Sequence, residues 1–541
     1  MKIIVGNAWP YANGSLHIGR VSSWIPGDVI ARYHRLRGDD VIFVSGSDCH
    51  GTPILNKAKE MDKSPKAVSS YFHREFKRTF EGLNFSFDIF SKTDNEWHTK
   101  KVQEFILKLY DNGFIYGKDV EEYYCPKCRE VIGDRSIRGI CPHCSKITTG
   151  EQCDNCSKLI EPEQLSNKAC INCGSVPILR ANKQLFFKLS AFEDYINSLV
   201  EKDLGWRKNA IELTKKYVDE GLRDRTLSRD IDWGIEVPIE GFKDKKIYVW
   251  IEAILSYLTS TMDYLGDNNE INKYWNSEDS RVYLVHGKEN IPFHSIILPS
   301  ILRGIGYDKT NFRILSSEYM SLEGKKFSSN RNWVIWANYL SDNYSEDLIR
   351  YYLLKYGPEK RNTNFSWKDF IKVNNNELLG IYGNFINRIL TFVNKYYKGN
   401  FVINEVNKDI LESVKEAYNF IGNEIELGNM NSALKRILDI VELGNEYFDS
   451  NKPWLLIRNN PEKAEEVIGG CLYIVINFCN LLEPFMPRGT EKLRKMLNIS
   501  EKYWEPLTKK EISLEIIDFL FERIPISRVK EELKVLKDKR K

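Results

Sequence analysis

The chain has 541 residues, of which 42% are hydrophobic, 28% charged and 12% aromatic. Those fractions exclude collagen-like, mucin-like and wholly disordered chains, and one hydrophobic core does not fill this length, so three or four domains are expected. Lys and Arg total 78 against 75 Asp and Glu, a net charge of +3, which neither marks a nucleic-acid binder nor excludes one with a local basic face.

From the amino terminus, residues 2–5 (Lys-Ile-Ile-Val) read as a short buried strand. The start lacks the long apolar stretch and cleavage site of a signal peptide, and no apolar run reaches the roughly 18 residues of a membrane span. A cytoplasmic protein without membrane partners is therefore expected. Next comes Asn7-Ala8-Trp9-Pro10-Tyr11-Ala12-Asn13-Gly14-Ser15-Leu16-His17-Ile18-Gly19-Arg20. A strand, a glycine-containing turn and His-x-Gly opening a helix suit a polyanion: helix-start amides face the ligand, and glycine permits close backbone approach. A helix is expected from about Ser15 to Arg37, a strand at 41–44 (Val-Ile-Phe-Val), and helices near 64–82 and 94–112. Strands alternating with helices predict a parallel sheet that binds ligands at the carboxyl ends of its strands.

The cysteines interrupt this pattern. Eight of eleven form four C-x-x-C pairs: Cys125/Cys128, Cys141/Cys144, Cys153/Cys156 and Cys170/Cys173. In a chain without an export signal, such pairs fit four-thiolate zinc sites better than disulfides. A closed four-sulfur shell has no open position, so the zinc is expected to be structural. Strands resume at 247–251 (Ile-Tyr-Val-Trp-Ile), 282–285 and 312–315, which predicts one α/β domain split by an insertion. Gly324-Lys325-Lys326-Phe327-Ser328-Ser329-Asn330-Arg331 follows the last of them. Glycine, lysine and hydroxyl residues on one loop suit the charge of a transferring phosphoryl group.

Beyond about residue 370 the pattern turns helical. Three apolar faces recur at helical spacing: Ile410, Leu411, Val414, Ala417, Tyr418, Ile421 and Ile425; Met430, Ala433, Leu434, Ile437 and Val441; and Val467 to Leu482. They predict an antiparallel bundle.

Taken singly, the His-Ile-Gly segment and the lysine loop also fit ordinary surface turns. In this order around a cysteine insertion, they resemble the methionyl-tRNA synthetase family of class I aminoacyl-tRNA synthetases over essentially the whole chain. Gly46-Ser47-Asp48-Cys49-His50-Gly51-Thr52-Pro53 looks like the family's Asp-x-His-Gly-Thr-Pro segment. Tyr248-Val249-Trp250 through Tyr257, and Gly287-Lys288-Glu289 through Ser295, match later catalytic blocks. The resemblance implies a Rossmann-type catalytic domain in two halves (1–115 and 228–320), a zinc-knuckle insertion (116–227), a mobile loop and linking region (321–370) and a helical anticodon-binding domain (371–541). It also implies methionine activation with ATP and Mg²⁺, then esterification of tRNA(Met). His17, Arg20 and Lys326 would act in catalysis, and with Gly19, Ser328 and Ser329 would bind ATP. Asp48 would hold the methionine ammonium, with Trp9, Tyr11, Trp250, Ala253, Tyr257 and His294 around the thioether. Asn384, Arg388 and Trp454 would read the anticodon.

The inner cysteine pairs, 141/144 and 153/156, are close enough in sequence to close one site. The outer pairs then close a second, a nesting that the resemblance also implies. Three features depart from the family pattern. Arg20 stands where a second histidine is usual, Ser329 and Asn330 replace a lysine and a serine of the loop, and Trp9 occupies a common leucine position. A degenerate relative that binds tRNA or another RNA without charging it is the alternative. A monomer is expected, because the chain ends at Lys541 without the carboxy-terminal domain of longer family members. Lys537, Lys539, Arg540 and Lys541 offer either a solvated helix end or phosphate contacts.

Overall fold

A computed structural model describes residues 1–538 except 133–135, 150, 154, 155, 157, 158, 161 and 267; Lys539, Arg540 and Lys541 lie outside the described residues. Five strands, Lys2–Asn7, Asp40–Ser47, Ile89–Lys92, Ser280–Gly287 and Phe312–Ser317, form one all-parallel sheet. Lys2–Asn7 is central, with Ser280–Gly287 and Phe312–Ser317 to one side and Asp40–Ser47 and Ile89–Lys92 to the other. Alternate side chains leave opposite faces. Ile3, Val5, Phe43, Tyr283, Val285 and Leu315 enter one core, whereas Ile4, Ile42, Val44, Val282, Leu284 and Ile314 enter the other. Both faces are therefore covered, which explains why these strands read as unbroken apolar runs.

Two local expectations are corrected. The apolar run at 247–251 is not a strand: Lys246–Ile247 pairs briefly, and Val249–Ile254 is helical. The stretch from Ser15 to Arg37 is not one helix but a four-residue turn, Ile18–Val21, followed by the helix Ile25–Leu36. Buried Arg350 joins that second helix to Glu346–Lys355 through an ion pair with buried Asp28, 2.6 Å long.

The insertion stands on an antiparallel hairpin, Ile115–Cys125 with Ile178–Phe187, in register from Ile178–Tyr124 to Phe187–Ile115. The cysteine knuckles sit at its far end. The following helices, Glu193–Glu201 and Lys208–Asp219, return to the sheet's core through Ile196, Leu199 and Ala210.

The bundle contains Asn384–Tyr397, Lys408–Glu426, Met430–Asn451, Pro461–Leu481 and Pro487–Leu497. The expected faces are buried except Leu411, which is 39% exposed. Pro461–Leu481 is long and apolar enough to cross a membrane by composition, but Val467 to Leu481 are all buried, as in the central helix of a bundle. The last helix among the described residues, Ser527–Asp538, docks back onto the segment that links the sheet to the bundle: the hydroxyls of Tyr339 and Tyr344 donate to buried Glu532.

Candidate active site

The sheet order reverses at Lys2–Asn7, and a cleft of about 820 Å³ opens at the carboxyl ends of the strands there. Two loops are zipped together at its floor. The Asp48 amide donates to Pro10 O at 2.9 Å, and the Ala12 amide to Asp48 O at 2.8 Å, which sets Tyr11 beside Asp48. Trp9, Tyr11, His17, Gly19, Arg20, Asp48, Trp250, Ala253, Tyr257, His294 and Lys326 all line this cleft. Ser328 and Ser329 do not.

At one end the wall is aromatic. Trp9 and Tyr257 meet edge-on, 6.4 Å between centroids, and Trp250 meets Phe293 at 90° and 4.1 Å. Trp250 Nε1 donates to the Tyr11 hydroxyl. Gly46 makes room for Trp9, since a Cβ there would lie 2.4 Å from the indole. His294 Nδ1 is 2.9 Å from Asn290 O, so that nitrogen carries the proton and donates; Nε2 then accepts from the Tyr257 hydroxyl, also at 2.9 Å. Burial pushes the His294 pKa down to about 4, so the ring is neutral near pH 7.

Asp48 is 4% exposed, and among the described residues its carboxylate receives only the His50 amide, at 3.4 Å, with no cation beside it. Burial and the charge of Glu252 hold its pKa well above the ordinary carboxylate value. A ligand cation would relieve both penalties.

His17, Arg20 and Lys326 add polar groups to the same cleft. The imidazole of His17 stacks on Phe327, and burial with the nearby Arg20 charge lowers its pKa to about 3. Its Nδ1 has no partner among the described residues. The expectation of several free amides at this helix start is corrected: Ile18 N donates to Ile335 O and Arg20 N to His17 O. The polar groups offered here are side chains. Leu322 and Lys325 flank a two-residue turn, Glu323–Gly324, in which both φ are positive (47° and 76°), and Ser321 pairs with Lys326. Ser328 then exchanges both backbone hydrogen bonds with Trp333. That ladder carries the serines off the cleft wall. Lys325 lies over the Trp333 ring at 5.0 Å.

Sequence reasoning missed Glu252 and His98. Glu252 is fully buried and meets His50 Nδ1 at 2.8 Å and His98 Nε2 at 2.9 Å. A lone acid in the apolar stretch from Tyr248 to Leu258 was the available signal.

The eight knuckle cysteines gather in two sets, Cys125/Cys128/Cys170/Cys173 and Cys141/Cys144/Cys153/Cys156, with the sulfurs of each set within 4.8 Å of one another. Sγ separations of 3.3 Å (Cys125–Cys173), 3.9 Å (Cys128–Cys170), 3.8 Å (Cys141–Cys156) and 3.6 Å (Cys144–Cys153) exceed a disulfide bond. They approach the edge of about 3.8 Å expected of a tetrahedron with 2.3 Å zinc–sulfur bonds. The donor sets fit zinc.

On the bundle, Asn384 is exposed one turn before half-buried Arg388 on the helix Asn384–Tyr397. Arg388 pairs with Asp449 and lies over the Phe448 ring at 4.7 Å. Trp454, 40% exposed, packs against the same ring at 5.6 Å. Phe448 thus brings Arg388 and Trp454 to one ledge, although they lie on different helices.

Comparison with known proteins agrees with this geometry. Residues 3–390 match the family model described as tRNA synthetases class I (M), and residues 402–519 match the anticodon binding domain of methionyl tRNA ligase. Methionine--tRNA ligase 1 of Alkaliphilus oremlandii (strain OhILAs) is 44% identical over 536 residues, 98% of this chain and 99% of the relative. Methionine--tRNA ligase of Bacillus cereus (strain G9842) is 43% identical over 540 residues, 99% of each chain. The fold is similar to that of Mycobacterium tuberculosis methionyl-tRNA synthetase in complex with methionyl-adenylate, with a TM-score of 0.81 at 22% identity, covering 97% of this chain and 100% of that one. The chain belongs to the methionyl-tRNA synthetase family of class I aminoacyl-tRNA synthetases.

Proposed function

We propose that this protein is a methionine–tRNA ligase. A methionine carboxylate oxygen attacks the α-phosphorus of ATP, the bond to the β-phosphate breaks, and pyrophosphate leaves. A ribose hydroxyl at the 3′ end of tRNA(Met) then attacks the activated carbonyl and AMP leaves. The observation that carries this reading is Asp48, a buried carboxylate without a described cation, in the same cleft as an aromatic pocket closed by neutral His294.

In this account Asp48 takes the ammonium. Trp9, Tyr11, Trp250, Ala253, Tyr257 and His294 enclose the thioether, since aromatic rings suit a polarizable sulfur. Neutral His17 offers hydrogen bonds to phosphate, while Arg20 and Lys326 supply positive charge. Neither step needs an enzymic nucleophile, so positioning and charge stabilisation carry the rate. Mg²⁺ would enter with the triphosphate, because among the described residues sets of three or more metal-ligating groups assemble only at the cysteines. Each cysteine set would hold one structural zinc.

Asn384, Arg388 and Trp454 would read the CAU anticodon, with Trp454 stacking an unpaired base. Trp454→Ala should then lower kcat/KM for tRNA by roughly tenfold or more, the loss of one base stack, with adenylate formation intact. The protein is proposed to act as a cytoplasmic monomer, which sedimentation tests. ATP–pyrophosphate exchange with each amino acid in turn tests the activation step. Exchange dependent on methionine supports it, and its absence rules it out.

A further inference from the structure

Glu252 lies between Trp250 and Ala253 of the pocket wall in sequence, yet its carboxylate is 0% exposed and faces two histidines. Oε1 meets His50, two residues after Asp48. Oε2 meets His98 on the helix Glu96–Asp111, whose other ring nitrogen is 2.8 Å from Thr259 Oγ1. The Trp97 indole on that helix also donates to Thr259 O, at 2.8 Å. One buried side chain therefore joins the Asp48 loop, the Trp250 helix and a second helix, Glu96–Asp111, that does not line the cleft.

A buried carboxylate is retained only where paired donors hold it, and an apolar side chain would fill the same volume at less electrostatic cost. Its use here makes sense for geometry. Asp48 meets one end of the amino-acid substrate, and Trp250 and Ala253 meet the other. They sit on separate segments, and the buried His50–Glu252 contact ties one directly to the other.

We propose that Glu252 is a positioning residue that holds the Asp48–His50 loop at a set distance from the Trp250–Ala253 turn, so that both ends of one amino acid are met together. The inference rests on the methionine reading of the cleft. Glu252 touches no substrate atom in this account. It acts through His50 and through its own helix.

The test is ATP–pyrophosphate exchange by the full chain with Glu252→Gln, which keeps the volume but turns one acceptor into a donor facing a histidine. Small misplacements of a bound substrate are felt strongly, so the KM for methionine should rise about tenfold or more while the KM for ATP stays within about twofold. A ligand that uses only one end of the site should not sense the change. The inhibition constant of 4-(methylthio)butanoate, which lacks the ammonium, should therefore be the same in parent and variant. If Glu252→Gln does not accumulate as folded protein, His50→Ala, which removes the same tie from the loop side, is read by the same constants, with the same rise of about tenfold or more expected. A methionine KM unchanged in the variant that is read, an equal rise for ATP, or an equal loss for the butanoate overturns the proposal. Absence of methionine-dependent exchange in the parent overturns the functional reading instead.

Discussion

The imidazole of His17 lies flat against the ring of Phe327, with centroids 4.8 Å apart and planes 10° from parallel. Gly19 permits this contact: a Cβ there would stand 3.0 Å from the same ring. The first signature segment and the lysine loop are thus joined face to face, with Lys326 next to the stack. Removing a donor aimed at developing charge costs about 10²–10³ in rate, so Lys326→Ala should lower kcat for pyrophosphate exchange by that factor. Phe327→Ala removes a ring contact of about 0.5–1.5 kcal/mol, and should cost roughly tenfold or less. Lys325, directed onto Trp333, should tolerate alanine with little change in kcat. Equal losses at both lysines in steady-state kinetics would contradict this division.

Trp9 and Gly46 form a second such pair. Gly46→Ala would place its Cβ 2.4 Å from the indole and 2.3 Å from Ser91 O. Overpacking of this kind costs about 1–3 kcal/mol, which denaturant unfolding should register. Trp9→Leu should recover only part of that loss, because the Ser91 carbonyl stays in place. Homocysteine differs from methionine by one methyl, a difference that a pocket converts into only about 1–3 kcal/mol. Homocysteine should therefore be activated measurably, and Trp9→Leu should change the methionine-to-homocysteine ratio of kcat/KM. An unchanged ratio would remove Trp9 from the wall.

His294 predicts a pH dependence of stability. Above about pH 6.5 the ring is neutral in both the folded and unfolded chain and contributes nothing. Between that value and the folded pKa of about 4, the unfolded chain takes up a proton that the folded one refuses. Stability therefore falls as pH falls through this window, by up to about 1.4 kcal/mol per pH unit from this group. His294→Gln should flatten the decline of Tm between those limits. The same slope in parent and variant would show that the ring is not held neutral.

The parts of this molecule that were legible in the sequence are local. Lys2–Asn7 and Ser280–Gly287 read as strands because both faces are buried, and Trp9 to Arg20 read as a site because its members are contiguous. Ile89–Lys92 was not read, since all four residues are half-buried and no apolar alternation marks the edge. The run at 247–251 misled because a short apolar stretch fits strand and helix alike; Trp250, Ala253 and Tyr257 at helical spacing decide it. Glu252 joins partners 202 and 154 residues away, and no spacing rule reaches that far. Ser328 and Ser329 were suited by chemistry to phosphate, but neither lines the cleft: Ser328 pairs with Trp333 and the Ser329 carbonyl accepts from Asn332 N.

The two cysteine sets share no ligand, so they should empty independently. Metal analysis should find about two zincs per chain, and Cys144→Ser should lower that to about one, since a four-thiolate site needs all four donors. Zinc at Cys125/Cys128/Cys170/Cys173 should remain. One zinc in the parent, or loss of both on this single substitution, would contradict the pairing.

Transfer of labelled methionine to tRNA(Met) tests the central claim most directly, because it requires the pocket, the nucleotide site and the bundle to act on one substrate. The account predicts acid-precipitable methionyl-tRNA that depends on both ATP and enzyme, with turnover sustained over many cycles. Tight tRNA binding without any charging, in an assay that a known ligase completes, would contradict it and identify the chain as an RNA-binding relative.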